Sequence, residues 1–390
     1  MEKETLLQAG IDLSYLSSLA LYNKIPPKER LEQIDIKNVY SLAKKHSMTS
    51  MVYISLQKCN EAYPGIVDKE ALSAMRKSHL RLLKRLVRFD FEREELMRYL
   101  DSEGIWYITL KGIVLAGYYP TLGMRQMADN DILVDPKGAK RIKEFMKSRG
   151  YDVYSYGGEC HDIYVKGNIA FEIHRALVGR QKHLRVARKY YSNVKERLIS
   201  DGRSAHRFSP EDFYVYFIYH AYKHFSVAGT GMRTLMDISV FWNKMSDKLD
   251  FEYIKGELSA LGISEYEEVS RRLALLYFSE EHASGKTPSP SGDDLAVFEY
   301  YVSSGTFGNN LQRMKNYLGV TSEDVEVSRL KKLGYLISRT FPGISYYRSV
   351  HPIAYRFIVT IPVLWAIRII RGFRKHDAVK VELGQLKSIK

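Results

Sequence analysis

Between Glu70 and Leu100, apolar residues return every three or four positions: Leu72, Met75, Leu80, Leu83, Leu86, Val87, Phe91, Leu96 and Leu100. That period predicts one long helix, closed near Gly104, which suits a C-terminal cap. The rest of residues 1–100 also reads as helical. The pattern then shortens. Residues 105–110 read as a strand, 113–119 as a short helix stopped by Pro120, and 129–135 as a second strand. A helix over 138–148 ends at Gly150. Strands follow at 151–156, 162–166 and 169–175, with Gly157-Gly158 and Gly167-Asn168 as turns. From Pro210 the helical period returns over 211–224, 235–245, 253–261 and 265–277. Residues 284–293, rich in Ser, Pro and Gly, read as a loop, and the remainder is helical and aromatic. Strands joined first by helices and then by tight turns imply a mixed sheet with helices packed on it, an α+β fold. The expected division is an N-terminal helical region (1–103), a sheet domain (104–205) and a C-terminal helical domain (206–390).

The second strand carries the chemistry. Residues two apart on a strand share a face, so Asp129 and Asp131 present their carboxylates side by side, ahead of Ile132-Leu133-Val134. Two acids that close need a positive group between them, and Mg²⁺ or Mn²⁺ is the usual answer where phosphate oxygens must also bind. Two-metal chemistry wants a third acid from another strand. In Ile169-Ala170-Phe171-Glu172-Ile173-His174, Phe171 and Ile173 point to the core, while Glu172 and His174 face the other way. A charged residue in an apolar strand has to be paired, placed at an edge or bound to metal.

The Lys111-Gly112 turn, the Arg125…Asp129-x-Asp131 element and the Glu172-Ile173-His174 strand together resemble the nucleotidyltransferase superfamily that shares the DNA polymerase β catalytic fold. The closer resemblance is to a bacterial family of uncharacterised nucleotidyltransferases. A second block supports it: His220, Lys223-His224, Gly229-x-Gly231-x-Arg233 and Asp237. The resemblance implies a polymerase-β-like core flanked by helical regions, a divalent metal, and a nucleoside triphosphate, ATP first among the candidates. It implies that Asp129, Asp131 and Glu172 are the catalytic and metal-binding acids. Two departures stand out. Lys111-Gly112 replaces the superfamily's Gly-Ser, and Asn130 replaces a buried aliphatic between the aspartates. Lys111 is expected to neutralise a phosphate. Gly112 and the N-terminus of the next helix would admit and bind an anion. Arg125 either clamps phosphate or holds its loop through a salt bridge. His174 orients Glu172, touches substrate or is structural. His220, Lys223 and His224 share a helical face and are expected to contact the nucleotide; no third ligand motif makes the two histidines a zinc site. Gly229, Gly231 and Arg233 would loop over the site, with Asp237 holding Arg233.

Charge adds to this picture. The chain has 390 residues, 45% of them hydrophobic and 27% charged, with a formal net charge of +14. That balance attracts phosphate-rich partners, RNA included. On the long helix, Arg76, Lys77, Arg81, Lys84, Arg85 and Arg88 read as a solvated face in preference to a nucleic-acid contact. Two cysteines, Cys59 and Cys160, exclude a Cys₄ zinc site and a disulfide framework. The charged start has no signal peptide pattern, and a reducing cytoplasm is expected. The apolar stretch 353–370 is interrupted by Arg356, Pro362 and Arg368, so no transmembrane segment is expected. A buried or partner-facing helix is preferred there, with peripheral membrane contact through Arg368, Arg371, Arg374 and Lys375 as the runner-up. The reading is metal-dependent transfer of a nucleotidyl group to an unknown hydroxyl acceptor on a small molecule, protein or RNA. The alternatives are a catalytically silent relative that binds or regulates, and a basic RNA-binding protein.

Overall fold

The computed structural model describes residues 2–320, 327–343, 346–347, 358–374 and 376–389. Five helices come first: α1 (Lys3–Tyr22), α2 (Lys28–Glu32), α3 (Ile36–Lys45), α4 (Thr49–Ala62) and α5 (Lys69–Ser102). The sheet region follows as β1 (Tyr107–Thr109), α6 (Gly112–Ala116), β2 (Asn130–Val134), α7 (Ala139–Ser148), β3 (Asp152–Ser155), β4 (His161–Lys166), β5 (Ile169–His174) and α8 (Arg185–Tyr190). After a small hairpin of β6 (Ile199–Ser200) and β7 (His206–Arg207), the chain is helical: α9 (Pro210–Ala228), α10 (Met232–Met245), α11 (Phe251–Leu261), α12 (Ser264–Tyr277), α13 (Glu280–Ala283), α14 (Gly292–Ser304), α15 (Asn310–Leu318) and α16 (Arg329–Thr340). Helices Ile361–Arg374 and His376–Ser388 end it.

The sheet order is β1-β2-β5-β4-β3, with β2 and β5 parallel and the other neighbours antiparallel. The expected mixed sheet is present, and with it the α+β class. Ile132 and Val134 of β2, with Phe171 and Ile173 of β5, pack on Leu86, Phe89, Leu96 and Leu100 of α5 and on Ile142 and Met146 of α7. Leu133 and Leu110 enter the other core, built by α1, α4, α9, α10, α12 and α14. The strand period therefore turns Asp131, Glu172 and His174 away from α5 and toward the helical body. Asp68 caps the start of α5 by accepting from the Ala71 N–H, and Gly104, at φ 62°, takes the left-handed turn after its end.

Hydrophobic packing crosses the division drawn from sequence. Leu13, Leu16 and Leu19 of α1 share one core with Leu235, Phe241, Leu273 and Phe298. Beyond α14, Met314, Leu318, Tyr335, Leu386 and Ile389 form a separate small cluster. No helix of the described residues is long and apolar enough to cross a membrane. Of the apolar stretch 353–370, residues 353–357 lie outside the described residues, as does Lys375. Helix Ile361–Arg374 leaves Val363 57% and Ile370 55% exposed, so of the buried or partner-facing helix expected there it is not the fully buried one.

His46, fully buried at the end of α3, locks this shared core. Its Nε2–H donates to the Val302 carbonyl at 3.0 Å, and its Nδ1 accepts the Met232 N–H at 3.0 Å. Protonation would set a second donor against that N–H. Burial pushes the His46 pKa from 6.5 down to about 4, against the bond to Val302. Above the ordinary histidine pKa the ring is neutral in both folded and unfolded chains. Below it, only the unfolded chain takes up the proton, so this contribution to stability declines as pH falls toward 4. We expect denaturant titrations at pH 7.5 and 5.0 to show a loss that is about 2 kcal/mol smaller in His46→Gln than in the native chain. Equal losses in the two chains would remove His46 from the acid response.

Candidate active site

The β1–α6 turn brings the first charged group. Lys111 has φ 44° and ψ −109°. Only a few per cent of non-glycine residues adopt positive φ, and such strain costs about 1–3 kcal/mol and concentrates at functional sites. Its Nζ lies 2.8 Å from Asp131 Oδ1. Burial opposes the ammonium charge, but Asp131, with Glu172 behind it, outweighs burial and holds the lysine protonated.

The acids are assembled by strand register. Asp131 stands opposite Glu172, and Leu133 opposite His174, across the parallel β2–β5 pair. His174 Nε2 lies 2.8 Å from Asp131 Oδ1 and 3.6 Å from Glu172 Oε2. Burial would raise the Asp131 pKa, yet Lys111 and His174 hold it well below the usual carboxylate range. Glu172 behaves likewise: burial raises it, and the His174 hydrogen bond leaves it lowered. Asp129 does the opposite. Among the described residues it has no hydrogen bond or ion pair, and burial, followed by Asp131 and Glu172, pushes its pKa up to about 6. Asn130 is completely buried on the other side of the strand; its Oδ1 accepts from Arg93 Nη1 of α5 at 3.2 Å, while its Nδ2 is buried without a hydrogen-bond partner among the described residues.

One face of α9 covers these acids. Tyr216, spaced for that face, feels Lys111, Asp131 and Glu172. His220 and Lys223 are both driven toward neutrality, first by burial and then by Lys111. The Nε2 atoms of His220 and His224 lie 3.1 Å apart, so one ring donates to the other.

Several expected roles are narrowed or changed. Of the two open to Arg125, the structure shows the salt bridge that holds its loop. Arg125 is 7% exposed, and its Nε and Nη2 donate to Asp237 at 2.8 and 2.9 Å, while the Tyr119 hydroxyl donates to the same carboxylate at 2.7 Å. Asp237 thus holds Arg125, not Arg233. Arg233 Nη1 donates instead to the Gln126 carbonyl at 3.0 Å. Both arginines tie the loop that delivers Asp129 to α10. Gly112 is glycine because a Cβ there would lie 2.6 Å from Arg125 Nη1, and α6 is a five-residue helix too short to bind an anion at its end. Gly229 and Gly231 form no flap. A Cβ on Gly229 would meet Ser304 Oγ at 2.1 Å, and one on Gly231 would meet His46 Nδ1 at 2.5 Å. They let α9 and α10 press against the end of α14. On α5, Arg85 is not merely solvated, since it donates to the Ala128 carbonyl at 2.7 Å.

Two neighbours of the acids escape the motif reading. His161 pairs with His174 across β4–β5, their rings 5.1 Å apart. Ligand atoms of His161, Glu172 and His174, one from each, fall within 4.8 Å of one another, a group able to hold a metal ion. The two-residue turn at Gly167-Asn168 sets Lys166 opposite Ile169, and counting back from it sets His161 opposite His174. That register is a usable signal. Tyr216 is reachable too, one helical turn before His220.

Compared with curated proteins and with solved structures, the chain finds no match. A family model described as an uncharacterised nucleotidyltransferase matches residues 32–279, more than half of the chain and all of the site above, so this protein belongs to that nucleotidyltransferase family.

Proposed function

We propose that the chain moves a nucleoside monophosphate from an NTP, ATP foremost, to a hydroxyl acceptor in a divalent-metal-dependent reaction. The observation that carries this reading is the register that sets Asp131 against Glu172, with Asp129, just before β2, close enough to feel both charges. The donor set fits a hard cation. Asp129, Asp131 and Glu172 offer carboxylate oxygens, with the His161 and His174 nitrogens beside Glu172, and a divalent ion such as Mg²⁺ or Mn²⁺ would relieve the crowding that raises the Asp129 pKa. Asp129, Asp131 and Glu172 would hold the metal, with His161 and His174 beside Glu172. Bound there, a divalent ion would neutralise phosphate charge and lower the acceptor's pKa.

The chain's own groups do the rest. Lys111, held protonated, supplies a fixed positive charge for the triphosphate. His220, Lys223 and His224 contact the nucleotide from α9. The acceptor oxygen bonds to the α-phosphorus, the bond from that phosphorus to the bridging oxygen breaks, and pyrophosphate leaves with the electron pair. Glu172, kept ionised and oriented by His174, takes the acceptor proton. The acceptor could be a small molecule, a protein hydroxyl or an RNA end.

One observation favours a second reading. Lys111 and His174 already satisfy Asp131, as a silent binding or regulatory relative would need. The test is to incubate the chain with α-labelled NTPs, Mg²⁺ or Mn²⁺ and cell extract. Label on an acceptor together with released pyrophosphate is expected. No transfer, with NTP binding indifferent to metal, would leave the silent relative.

A further inference from the structure

Beyond the end of β5 the chain folds around a cavity of about 500 Å³. Its walls include Arg175, Arg185, Arg188 and Lys189, over an apolar floor of Leu177 and Val178. Arg175 already pairs with Asp162 at 3.2 Å. Arg185, Arg188 and Lys189 have no carboxylate partner among the described residues. Three exposed cations that line one cavity without counter-ions make it electropositive, and an anion is drawn to it.

The cavity begins one residue beyond the strand that carries Glu172 and His174. Arg175 directly follows His174 in the chain. The ring of Tyr191 packs on Tyr216 at 6.1 Å between centroids, and Tyr216 feels Asp131 and Glu172. Across the sheet the order is Lys111 after β1, the aspartates on β2, then Glu172 on β5 and the cavity past its end. Lys111 thus reaches the acids from the β1 side, and the cavity opens beyond the end of β5.

We propose that this cavity seats the acceptor, and that the acceptor is a small molecule bearing a phosphate or carboxylate. The assignment rests on the nucleotidyl-transfer reading above. Arg185 and Arg188 grip the anion, Leu177 and Val178 meet the less polar part, and the hydroxyl is turned toward Glu172. A cavity of this size suits a small metabolite better than a polymer.

The test uses the full chain and its Arg185→Ala/Arg188→Ala variant, whose changed residues are exposed. Calorimetry with inorganic phosphate is expected to show at least tenfold weaker binding in the variant, with metal-dependent NTP affinity within twofold of native. In the extract assay, the acceptor is expected to be retained on an anion exchanger, and labelling should fall at least tenfold in the variant. Phosphatase treatment of the extract should abolish labelling if the anion is a phosphate monoester and spare it if it is a carboxylate. Equal phosphate binding by the two chains would overturn the assignment. So would a parallel loss of NTP affinity, which would place the triphosphate in the cavity, or label found on RNA or on a neutral molecule. The transfer reading fails separately, when NTP binding ignores metal while phosphate binding still depends on the two arginines.

Discussion

Replacing Asp129 with Asn is expected to make the chain more stable and to abolish its activity. The carboxylate lies among groups that disfavour its charge: burial first, then Asp131 and Glu172, which together lift its pKa from 3.8 to about 6. A folded-state pKa raised above the unfolded value means that stability is fully present below the unfolded pKa and is lost as pH rises through the folded one. At pH 7 the ionised carboxylate therefore costs about 3 kcal/mol in the absence of metal. Asn has the same shape without the charge. Without metal, Asp129→Asn is expected to melt several degrees above the native chain at pH 7 and nearly level with it at pH 4. Adding Mg²⁺ or Mn²⁺ should raise the native melting temperature and leave the variant's unchanged. Turnover should fall roughly a thousandfold, the scale expected for losing charge stabilisation at a transferring phosphoryl group. Asp131→Asn should lose activity similarly but also lose stability, because Lys111 and His174 both depend on that carboxylate. A metal-induced melting shift that survives in Asp129→Asn would show that Asp129 is not a metal ligand, and a variant less stable than native without metal would show that its carboxylate is not the buried charge that costs stability.

Glu172→Gln is the second large effect. Glu172 sits opposite Asp131 on a separate strand and beside His174. From there it faces the attacking group more than the triphosphate. The variant is expected to hold NTP with affinity within several-fold of native and to turn over roughly a hundredfold more slowly or worse, as when a positioned base is removed. Single-turnover kinetics at saturating NTP separate the two quantities. Equal losses in binding and turnover would move Glu172 to the nucleotide's side of the site, and full activity would remove it from the mechanism.

Much of this protein follows from local pattern. A 3.6-residue period marks α5, and a two-residue period marks β2 and β5. The two-residue period alone sends Asp131, Glu172 and His174 to the face opposite Ile132 and Ile173, because a strand side chain has only two sides to choose from. The hairpin turn at Gly167-Asn168 even carries the His161–His174 pairing, by counting. Spacing along one helix likewise unites Tyr216, His220 and Lys223.

Partner choice between distant elements is another matter. Asp237 lies one helical turn after Arg233, so spacing along α10 favours that pair. Docking of α10 beside the Asp129 loop instead gives Asp237 to Arg125, across 112 positions, and binds Arg233 to the Gln126 carbonyl. Gly229 and Gly231 read as a loop over the site until Ser304 and His46 are seen where their side chains would be. The shared core of α1 with α10, α12 and α14 is equally hidden, because periodicity says which face of a helix is buried but not what buries it. The ion pair of Lys111 with Asp131 also depends on the tertiary structure. A strained backbone at Lys111 and a buried carboxylate 20 positions later meet only when β1 and β2 pair. Sequence by itself determined the long helices and main strands, their faces and the candidate acids, while α8, α13 and the β6–β7 hairpin went unread. Tertiary structure decided which charges those acids and arginines take as partners, because a buried charge must be neutralised by whatever the fold brings beside it.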